Sequence, residues 1–219
     1  FALAPSGNPK DNAHFTVPTE EFEALSQEGI TAGYGADFAI LRSAPPREVV
    51  VVVTEPDSPA TAAGLTRGAR IISVDGAAIA DSDDIDTLNN GLFPPTLGET
   101  HQFQVRDLGS NATRTINMTS AEINVDPVQF ERVFDTPSGP VGYLFFSNHI
   151  ATAERELVNA VNTLAAQSIT DLILDVRYNL GGFSDIANQL AYMIAGPSSA
   201  SGRTFGELKF SDKHPSVNP

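Results

Sequence analysis

The chain contains no cysteine and no tryptophan, and it is poor in basic residues. The lack of cysteine excludes disulfides, thiolate catalysis and cysteine-ligated zinc sites. The 219 residues hold 13 Lys and Arg against 27 Asp and Glu, which gives a formal net charge of −14. Nucleic-acid-binding proteins and proteins that bind anionic membranes both concentrate positive charge. The composition therefore argues against nucleic acid and against a membrane surface as partners.

Long hydrophobic runs are also missing, and the sequence shows neither a membrane span nor a signal peptide. The chain starts at Phe1 and ends in the loop-like residues HPSVNP. We therefore expect it to be a segment of a longer protein. Its length is sufficient for two modest domains, each with its own hydrophobic core.

The first half has the pattern of a small β-rich domain. Residues 1–29 predict a polar lead-in and a short helix, and residues 30–122 predict strands with two helices between them. In chain order, the expected elements are a glycine loop that opens a strand (GYGADFAIL, 33–41), a buried strand (EVVVVVT, 48–54), a short helix capped by Ser58 (DSPATAAGL, 57–65), a strand with an Asp-Gly turn (ARIISVDG, 69–76), a helix over 81–92 and a hairpin of 101–106 with 113–119.

This order, with its Gly-Tyr-Gly loop and the EPDSPATAAGLTRGARIISVDG stretch, resembles a PDZ domain of the circularly permuted bacterial type. A PDZ domain binds the carboxyl terminus of a peptide, for which glycines allow several backbone N–H groups to point into one hollow. The following strand can accept the peptide as an added strand, and the facing helix supplies an apolar wall. The peptide-binding residues that the resemblance implies are Gly33, Tyr34, Gly35 and Ala36 in the loop, with Ile85 and Leu88 on the helix.

The pattern changes near residue 139. Residues 123–138 read as a connecting segment with one further strand, 129–134. They are followed by a strand (GPVGYLFFS), a long amphipathic helix over 151–167, a strand over 169–176 and a helix over 184–195. Strand, helix, strand, helix in this order predicts a parallel β/α layer over residues 139–219.

The strand at 169–176 ends in the polar segment DVRYNLGG, residues 175–182. A buried parallel strand carries polar residues at its carboxyl end, where a site can open. Asp175 and Arg177 can pair with neighbours, and Asn179 can hydrogen-bond its own turn. Gly181 and Gly182 allow backbone N–H groups to approach a substrate closely at the start of a helix.

DVRYNLGG, together with the preceding PDZ pattern and Gly-Pro-Val-Gly-Tyr strand, resembles the S41 family of serine peptidases, the carboxyl-terminal processing proteases. These pair a PDZ domain with a crotonase-like or ClpP-like core. The resemblance implies that a glycine of this turn donates an oxyanion N–H, and we favour Gly181. Asp175, Arg177 and Asn179 are then structural residues at the site. Many members have a third glycine where this chain has Leu180.

The serine nucleophile and lysine base of that family are expected beyond the end of this chain. The SSAS segment, 198–201, looks like a nucleophile motif but follows a helix without an intervening strand, and Lys209 and Lys213 stand too close to it. The four histidines, His14, His101, His149 and His214, are scattered, and His149 reads as a polar residue at a helix start. No metal-ligand spacing or dinucleotide fingerprint is present, so we expect neither a metal nor a cofactor.

We therefore expect a fragment of a carboxyl-terminal processing serine endopeptidase, inactive alone, from the bacterial periplasm or cell envelope. Its partners would be polypeptide C-termini, and an exposed sheet edge could pair two copies. One alternative is a non-catalytic PDZ adaptor on a degenerate protease scaffold. A weaker alternative takes the β/α half as a crotonase-like acyl-CoA enzyme, against which the PDZ pattern argues.

Overall fold

The computed structural model describes residues 17–207 and Lys213. His14, His214, Lys209 and the terminal HPSVNP, on which parts of the sequence analysis rest, lie outside these residues. The chain divides into two compact units, Phe1–Asp126 and Pro127–Pro219. Among the described helices, none has the length and apolar character needed to cross a membrane.

The first unit is built mainly from short antiparallel strands. A short helix, α1 (Thr19–Glu23), continues as a π-helical turn (Ala24–Glu28) and ends at Gly29 in the left-handed conformation. The elements that follow are β1 (Ile30–Gly33), β2 (Ala36–Arg42), β3 (Glu48–Thr54), α2 (Pro59–Ala62), β4 (Arg70–Val74), β5 (Ala77–Ala78), α3 (Ile85–Leu92), β6 (Thr100–Arg106), β7 (Arg114–Thr119) and β8 (Ala121–Asn124).

The main sheet of this unit has the strand order β2-β3-β4-β6-β7, and β5 pairs with β4. Alternate valines of β3, Val49 and Val51, point into a core that also contains Leu88 of α3 and Phe103 of β6. β1 and β8 pair with each other as a separate two-stranded sheet. The sequence prediction of a PDZ-like arrangement of strands and two helices is confirmed.

The second unit contains β9 (Phe130–Thr136), β10 (Gly139–Phe145), α4 (Ala153–Ala166), β11 (Asp171–Asp175), α5 (Ser184–Ala195) and α6 (Pro197–Ala200). Its sheet order is β11-β10-β9. β10 and β11 run parallel and are connected by α4, as the strand-helix-strand pattern predicts. β9, which falls in the expected connecting segment, pairs antiparallel with β10.

The two faces of this sheet have different surroundings. Leu144 of β10 and Leu172 and Leu174 of β11 face α4 and pack with Leu157 and Leu164. The alternate residues face the other way, and several remain exposed: Phe130 and Phe134 at 48% and Ile173 at 51%. The described part of the second unit therefore has one covered and one incompletely covered sheet face.

Candidate functional site

The loop between β1 and β2 has a backbone that requires glycine. Gly35 has φ 70°, and a Cβ there would overlap the side chain of Ser58, at the start of α2. A larger residue would suffer both steric overlap and left-handed strain. The loop is therefore fitted closely against the start of α2.

The carbonyl groups of this loop are held by the neighbouring chain. The N–H of Ala60 donates to the Tyr34 carbonyl at 2.9 Å, and the N–H of Glu55 donates to the Gly35 carbonyl at 2.8 Å. Within residues 17–207, the N–H groups of Tyr34 and Gly35 donate to no backbone carbonyl. The loop thus fixes its acceptors and leaves two adjacent donors for another group.

The Tyr34 side chain anchors the loop in the core. It is 3% exposed, its hydroxyl donates to the Gly91 carbonyl at 2.9 Å, and its ring meets Phe103 edge-on at 5.4 Å. Burial raises the pKa of the Tyr34 hydroxyl well above its usual range, and the nearby carboxylates Asp75 and Glu99 raise it further. The Tyr34 side chain therefore anchors the loop to the hydrophobic core, and its hydroxyl remains neutral.

The edge strand β2 and helix α3 line the space beside this loop. Ala36, Phe38 and Ile40 of β2 and Ile85 of α3 are partly buried against the core. Leu88, which the sequence analysis places on the wall of a peptide groove, is 0% exposed. Its side chain is core and offers no surface to a ligand, whereas Ile85 retains accessible surface. Phe38 also meets Phe93, just after α3, edge-to-face at 6.2 Å.

The second cluster forms where β11 ends, around the carboxylate of Asp175. Asp175 is 7% exposed. It accepts hydrogen bonds from the Tyr143 hydroxyl at 2.7 Å, from Arg177 Nε at 2.9 Å and from the Arg177 backbone N–H at 3.1 Å. A buried carboxylate is stable only with such partners. Tyr143 reaches it because β10 lies parallel beside β11.

The electrostatics of this cluster favour the ionised form of Asp175. Hydrogen bonds from Arg177 hold the pKa of the Asp175 carboxyl well below its usual range, although burial acts in the opposite direction. The pKa of Arg177 is raised in return, chiefly by the same hydrogen bonds. Burial and the bond to Asp175 raise the pKa of the Tyr143 hydroxyl. The three groups form a fixed polar support below the turn that follows.

That turn, residues 176–183, is fixed by Asn179. Its Oδ1 accepts the N–H of Gly181 at 2.9 Å and lies 2.7 Å from Nδ1 of His149, and its Nδ2 donates to the Phe146 carbonyl at 3.1 Å. Since an amide oxygen only accepts, the imidazole of His149 carries its proton on Nδ1 in this arrangement. One side chain thus connects the end of β11 to the segment that follows β10.

The two glycines of the turn differ in their surroundings. Gly182 has φ 136° and lies against His149, so a Cβ there would overlap the His149 carbonyl oxygen. Gly181 has φ 97°, and no atom lies within 4 Å of the position of its Cβ. The N–H of Gly181, favoured above as the oxyanion donor, donates to Asn179. Gly182 is exposed and lies just before α5, and among the described residues no backbone carbonyl accepts a hydrogen bond from its N–H.

Two residues of this cluster, His149 and Tyr143, are not predicted from the sequence to belong to it. The sequence pattern predicts His149 at the start of a helix, but α4 begins only at Ala153. His149 instead forms a parallel bridge to Gly182, in which its N–H donates to the Gly181 carbonyl at 3.2 Å and its carbonyl accepts from Phe183 at 2.9 Å. Tyr143 was assigned only to a strand. The parallel pairing of β10 and β11 brings both residues to the turn.

Other candidate groups are not assembled into a site. Ser198 and Ser199 lie on the short helix α6 and are exposed. Across the described ranges, no serine hydroxyl is hydrogen-bonded to a histidine or lysine, and no group of His, Asp and Glu could hold a metal ion.

Comparison with known families finds a match over the second unit. Residues 140–206, which include the turn and its supports, match the model of peptidase family S41. The carboxyl-terminal-processing protease of Picosynechococcus is 27% identical over 180 residues, covering 78% of this chain and 41% of the relative. The carboxy-terminal processing protease CtpB of Bacillus subtilis is 26% identical over 160 residues, covering 72% of this chain and 31% of the relative.

The alignments with these two curated relatives thus span 41% and 31% of the relatives' own length. Among solved structures, an S41 protease from Bacteroides fragilis aligns with a TM-score of 0.61 at 21% identity, over 99% of this chain and 61% of that chain. The photosystem II D1 C-terminal processing protease aligns with a TM-score of 0.51 at 22% identity, over 78% of this chain and 47% of that chain. Both likenesses concern the fold.

Proposed function

We propose that this chain, whose residues 140–206 match the model of peptidase family S41, is the substrate-binding and oxyanion-forming part of a longer serine endopeptidase. The first unit binds the C-terminus of a polypeptide. The second unit contributes the turn that stabilises the transition state of peptide-bond cleavage. A serine nucleophile and a lysine base come from residues beyond this chain.

Capture of a C-terminal carboxylate is supported by the loop 33–36. Two consecutive N–H groups, those of Tyr34 and Gly35, have no backbone acceptor in the described chain. β2 is the end strand of its sheet and can pair with an extended peptide. Ala36, Phe38 and Ile85 offer apolar surface beside it, and we do not assign this role to Leu88 because its side chain is buried.

The observation that carries the catalytic proposal is the backbone of the turn at Gly181 and Gly182. During acyl transfer the substrate carbonyl oxygen becomes negative, and backbone N–H groups already in position stabilise it. The N–H of Gly182 meets this need, since the residue is exposed, no described backbone carbonyl accepts from this N–H, and the residue lies just before the 12-residue helix α5. Gly181 shapes the turn, because its N–H is bonded to Asn179.

The supporting residues position the turn and do not exchange protons with the substrate. Asp175 remains ionised and bonded to Tyr143 and Arg177, so it has no proton to give at neutral pH. Asn179 fixes the angle between the end of β11 and the start of α5.

We also propose an extracytoplasmic location for the protein, which follows from the relationship and can be checked by fractionating cells.

The experiment that tests the proposal compares the longer protein with this chain alone. Both are incubated with peptides that end either in a free carboxylate or in an amide. We expect only the longer protein to cleave, with slower cleavage of the amidated peptides. Cleavage by the chain alone would contradict the expected position of the nucleophile, and equal rates on acids and amides would contradict carboxylate capture.

A non-catalytic peptide-binding adaptor is the second candidate. It is favoured by the loop 33–36 and the edge strand β2, which support peptide binding without any contribution from the turn 176–183. Binding of free-carboxylate peptides by the longer protein, without any cleavage, would support the adaptor and would leave the turn at Gly182 with a structural role only.

A further inference from the structure

Asp37 is the second residue of the edge strand β2. It is the first residue of β2 whose side chain points away from the space between β2 and α3, where the peptide is proposed to bind. Its neighbours Ala36 and Phe38 pack against the core, whereas Asp37 is exposed on the opposite face. Successive side chains of a strand alternate between faces, so this difference is a consequence of the position of Asp37 in β2.

The same alternation applies to a peptide added to β2. With its terminal carboxylate at the N–H groups of Tyr34 and Gly35, the peptide runs antiparallel to β2, and its last residue lies opposite Ala36. The penultimate residue then lies opposite Asp37. Directly opposed residues of an antiparallel pair share a face, with Cβ atoms about 4.5–5.5 Å apart.

The carboxylate of Asp37 has no partner of its own in the described part of the chain. It makes no hydrogen bond or ion pair with the residues that the structure describes, and partial desolvation by the surrounding chain raises its pKa although the residue as a whole is exposed. Arg42, at the other end of β2, donates to the Pro46 carbonyl at 3.4 Å, and Arg67, in the loop before β4, donates to the Val52 carbonyl at 3.1 Å. A cation from a ligand would therefore meet an unpaired carboxylate.

We infer that Asp37 selects polypeptide C-termini whose penultimate residue is lysine or arginine. This inference rests on the proposed capture of C-termini by the loop 33–36. The ammonium or guanidinium group of the penultimate side chain pairs with Asp37, and an acidic side chain at the same position is repelled. An exposed charge pair changes affinity by a few-fold, so Asp37 adjusts selectivity, and the loop and the edge strand supply most of the affinity.

The test measures binding of fluorescein-labelled peptides to the 219-residue chain by fluorescence polarisation. The peptides share one body and a C-terminal valine, carry lysine, glutamine or glutamate at the penultimate position, and are made as free acids and as amides. For the free acids we expect lysine to bind best and glutamate worst, with a difference in Kd of about fivefold.

Three variants assign that preference to a residue. Asp37→Asn should reduce the lysine-to-glutamate difference to less than about twofold, and Asp37→Lys should reverse it. Glu122→Gln is the matched control, because Glu122 is also exposed but lies on β8 in the other sheet. It removes the same charge and should leave the difference unchanged.

The outcomes separate this inference from the function on which it rests. The role of Asp37 is overturned if Asp37→Asn retains the full lysine preference, or if the unsubstituted chain shows no such preference. In either case, a preference for free acids over amides would still support carboxylate capture by the loop 33–36. Equal binding of acids and amides, or no binding, overturns both. Retained acid-over-amide preference in each variant shows that the variant is folded.

Discussion

Gly181 and Gly182 are adjacent, yet alanine should be tolerated very differently at the two positions. At Gly182 a methyl group would overlap the carbonyl oxygen of His149 and would also impose an unfavourable φ. At Gly181 only the φ is unfavourable. We expect Gly182→Ala to destabilise the second unit by about 3 kcal/mol or more and Gly181→Ala by about 1–2 kcal/mol.

Urea unfolding followed by tyrosine fluorescence would measure this difference. The chain has 4 tyrosines and no tryptophan, and Tyr143, Tyr178 and Tyr192 all lie in the second unit. Their signal therefore reports mainly on that unit. Equal losses for the two alanine variants would show that the contact with His149 is not fixed in solution.

Asp175 should make the second unit sensitive to acid. Its folded-state pKa lies below the unfolded value of about 3.9, chiefly because of hydrogen bonds from Arg177. The stabilisation is therefore fully present above the unfolded pKa and is lost as the pH falls through the folded pKa. We expect Asp175→Asn to cost about 1 kcal/mol at pH 7, with the gap to the unsubstituted chain closing below about pH 4.

Unfolding measured between pH 7 and pH 2 tests this expectation, and Tyr143→Phe is a useful control. It removes one hydrogen bond to Asp175 but retains the ion pair with Arg177. The Tyr143 hydrogen bond also lowers the pKa of Asp175, but less than the hydrogen bonds from Arg177 do. Tyr143→Phe should therefore keep most of the acid dependence of the unsubstituted chain, whereas Asp175→Asn loses it. A gap for Asp175→Asn that does not change with pH would mean that the carboxylate charge adds nothing to stability.

His149 and Asn179 show why residue-level prediction of a site stops where tertiary pairing begins. The sequence indicates that Asn179 could bond within its own turn, because its side chain and the glycines are neighbours in the chain. The contact between Asn179 and His149 joins residues 30 positions apart. It arises from the parallel register of β10 and β11, and no local pattern near His149 indicates it.

The N-terminus of the short helix α2 is capped by side chains and is hydrogen-bonded to the loop 33–36. Ser58 accepts from the N–H of Thr61, and the Thr61 hydroxyl accepts from the N–H of Ser58, which is a reciprocal capping box. The N–H of Ala60, two residues after Ser58, donates to the Tyr34 carbonyl. The cap therefore fixes the helix end that holds the loop 33–36.

We expect Ser58→Ala to destabilise the first unit by about 1 kcal/mol and to weaken binding of free-carboxylate peptides more than binding of amides. Ser43→Ala removes a hydroxyl from an exposed serine of the same unit and is the control, because Ser58 is too closely packed to accept a larger residue. Thermal unfolding and peptide titration on the same variants check both effects. A stability loss without any change in the acid-to-amide ratio would mean that the loop keeps its shape without the cap.

Most elements could be predicted from local sequence, but their faces could not. The β-branched run of β3 and the Ser-Pro start of α2 determine structure locally, and the structure contains both elements. The spacing of the apolar residues in α3 indicates which side of the helix is apolar. It does not indicate which of these residues lie in the core and which face the proposed peptide site. Leu88 proves to be core, whereas Ile85, three residues earlier, keeps accessible surface, because that division depends on where β2 lies.

At the scale of the whole molecule, two properties act against each other. The net charge of −14 keeps copies apart through repulsion at low ionic strength. The sheet β11-β10-β9 nevertheless leaves Phe130, Phe134 and Ile173 about half exposed on one face, and β11 is an end strand. We propose that copies of this chain associate through this sheet when the repulsion is screened.

Sedimentation velocity over a range of protein concentration, at about 50 mM and about 500 mM salt, tests this proposal. We expect a larger associated fraction at the higher salt. Ile173→Lys places a charge on the exposed face of β11 and should weaken association at least about tenfold. Leu108→Lys makes the same change at an exposed leucine of the first unit and should have no effect. The proposal is wrong if the chain stays monomeric at both salt concentrations, or if the two variants have equal effects on association. Only a contact made by the exposed face of this sheet would make Ile173→Lys more disruptive than Leu108→Lys.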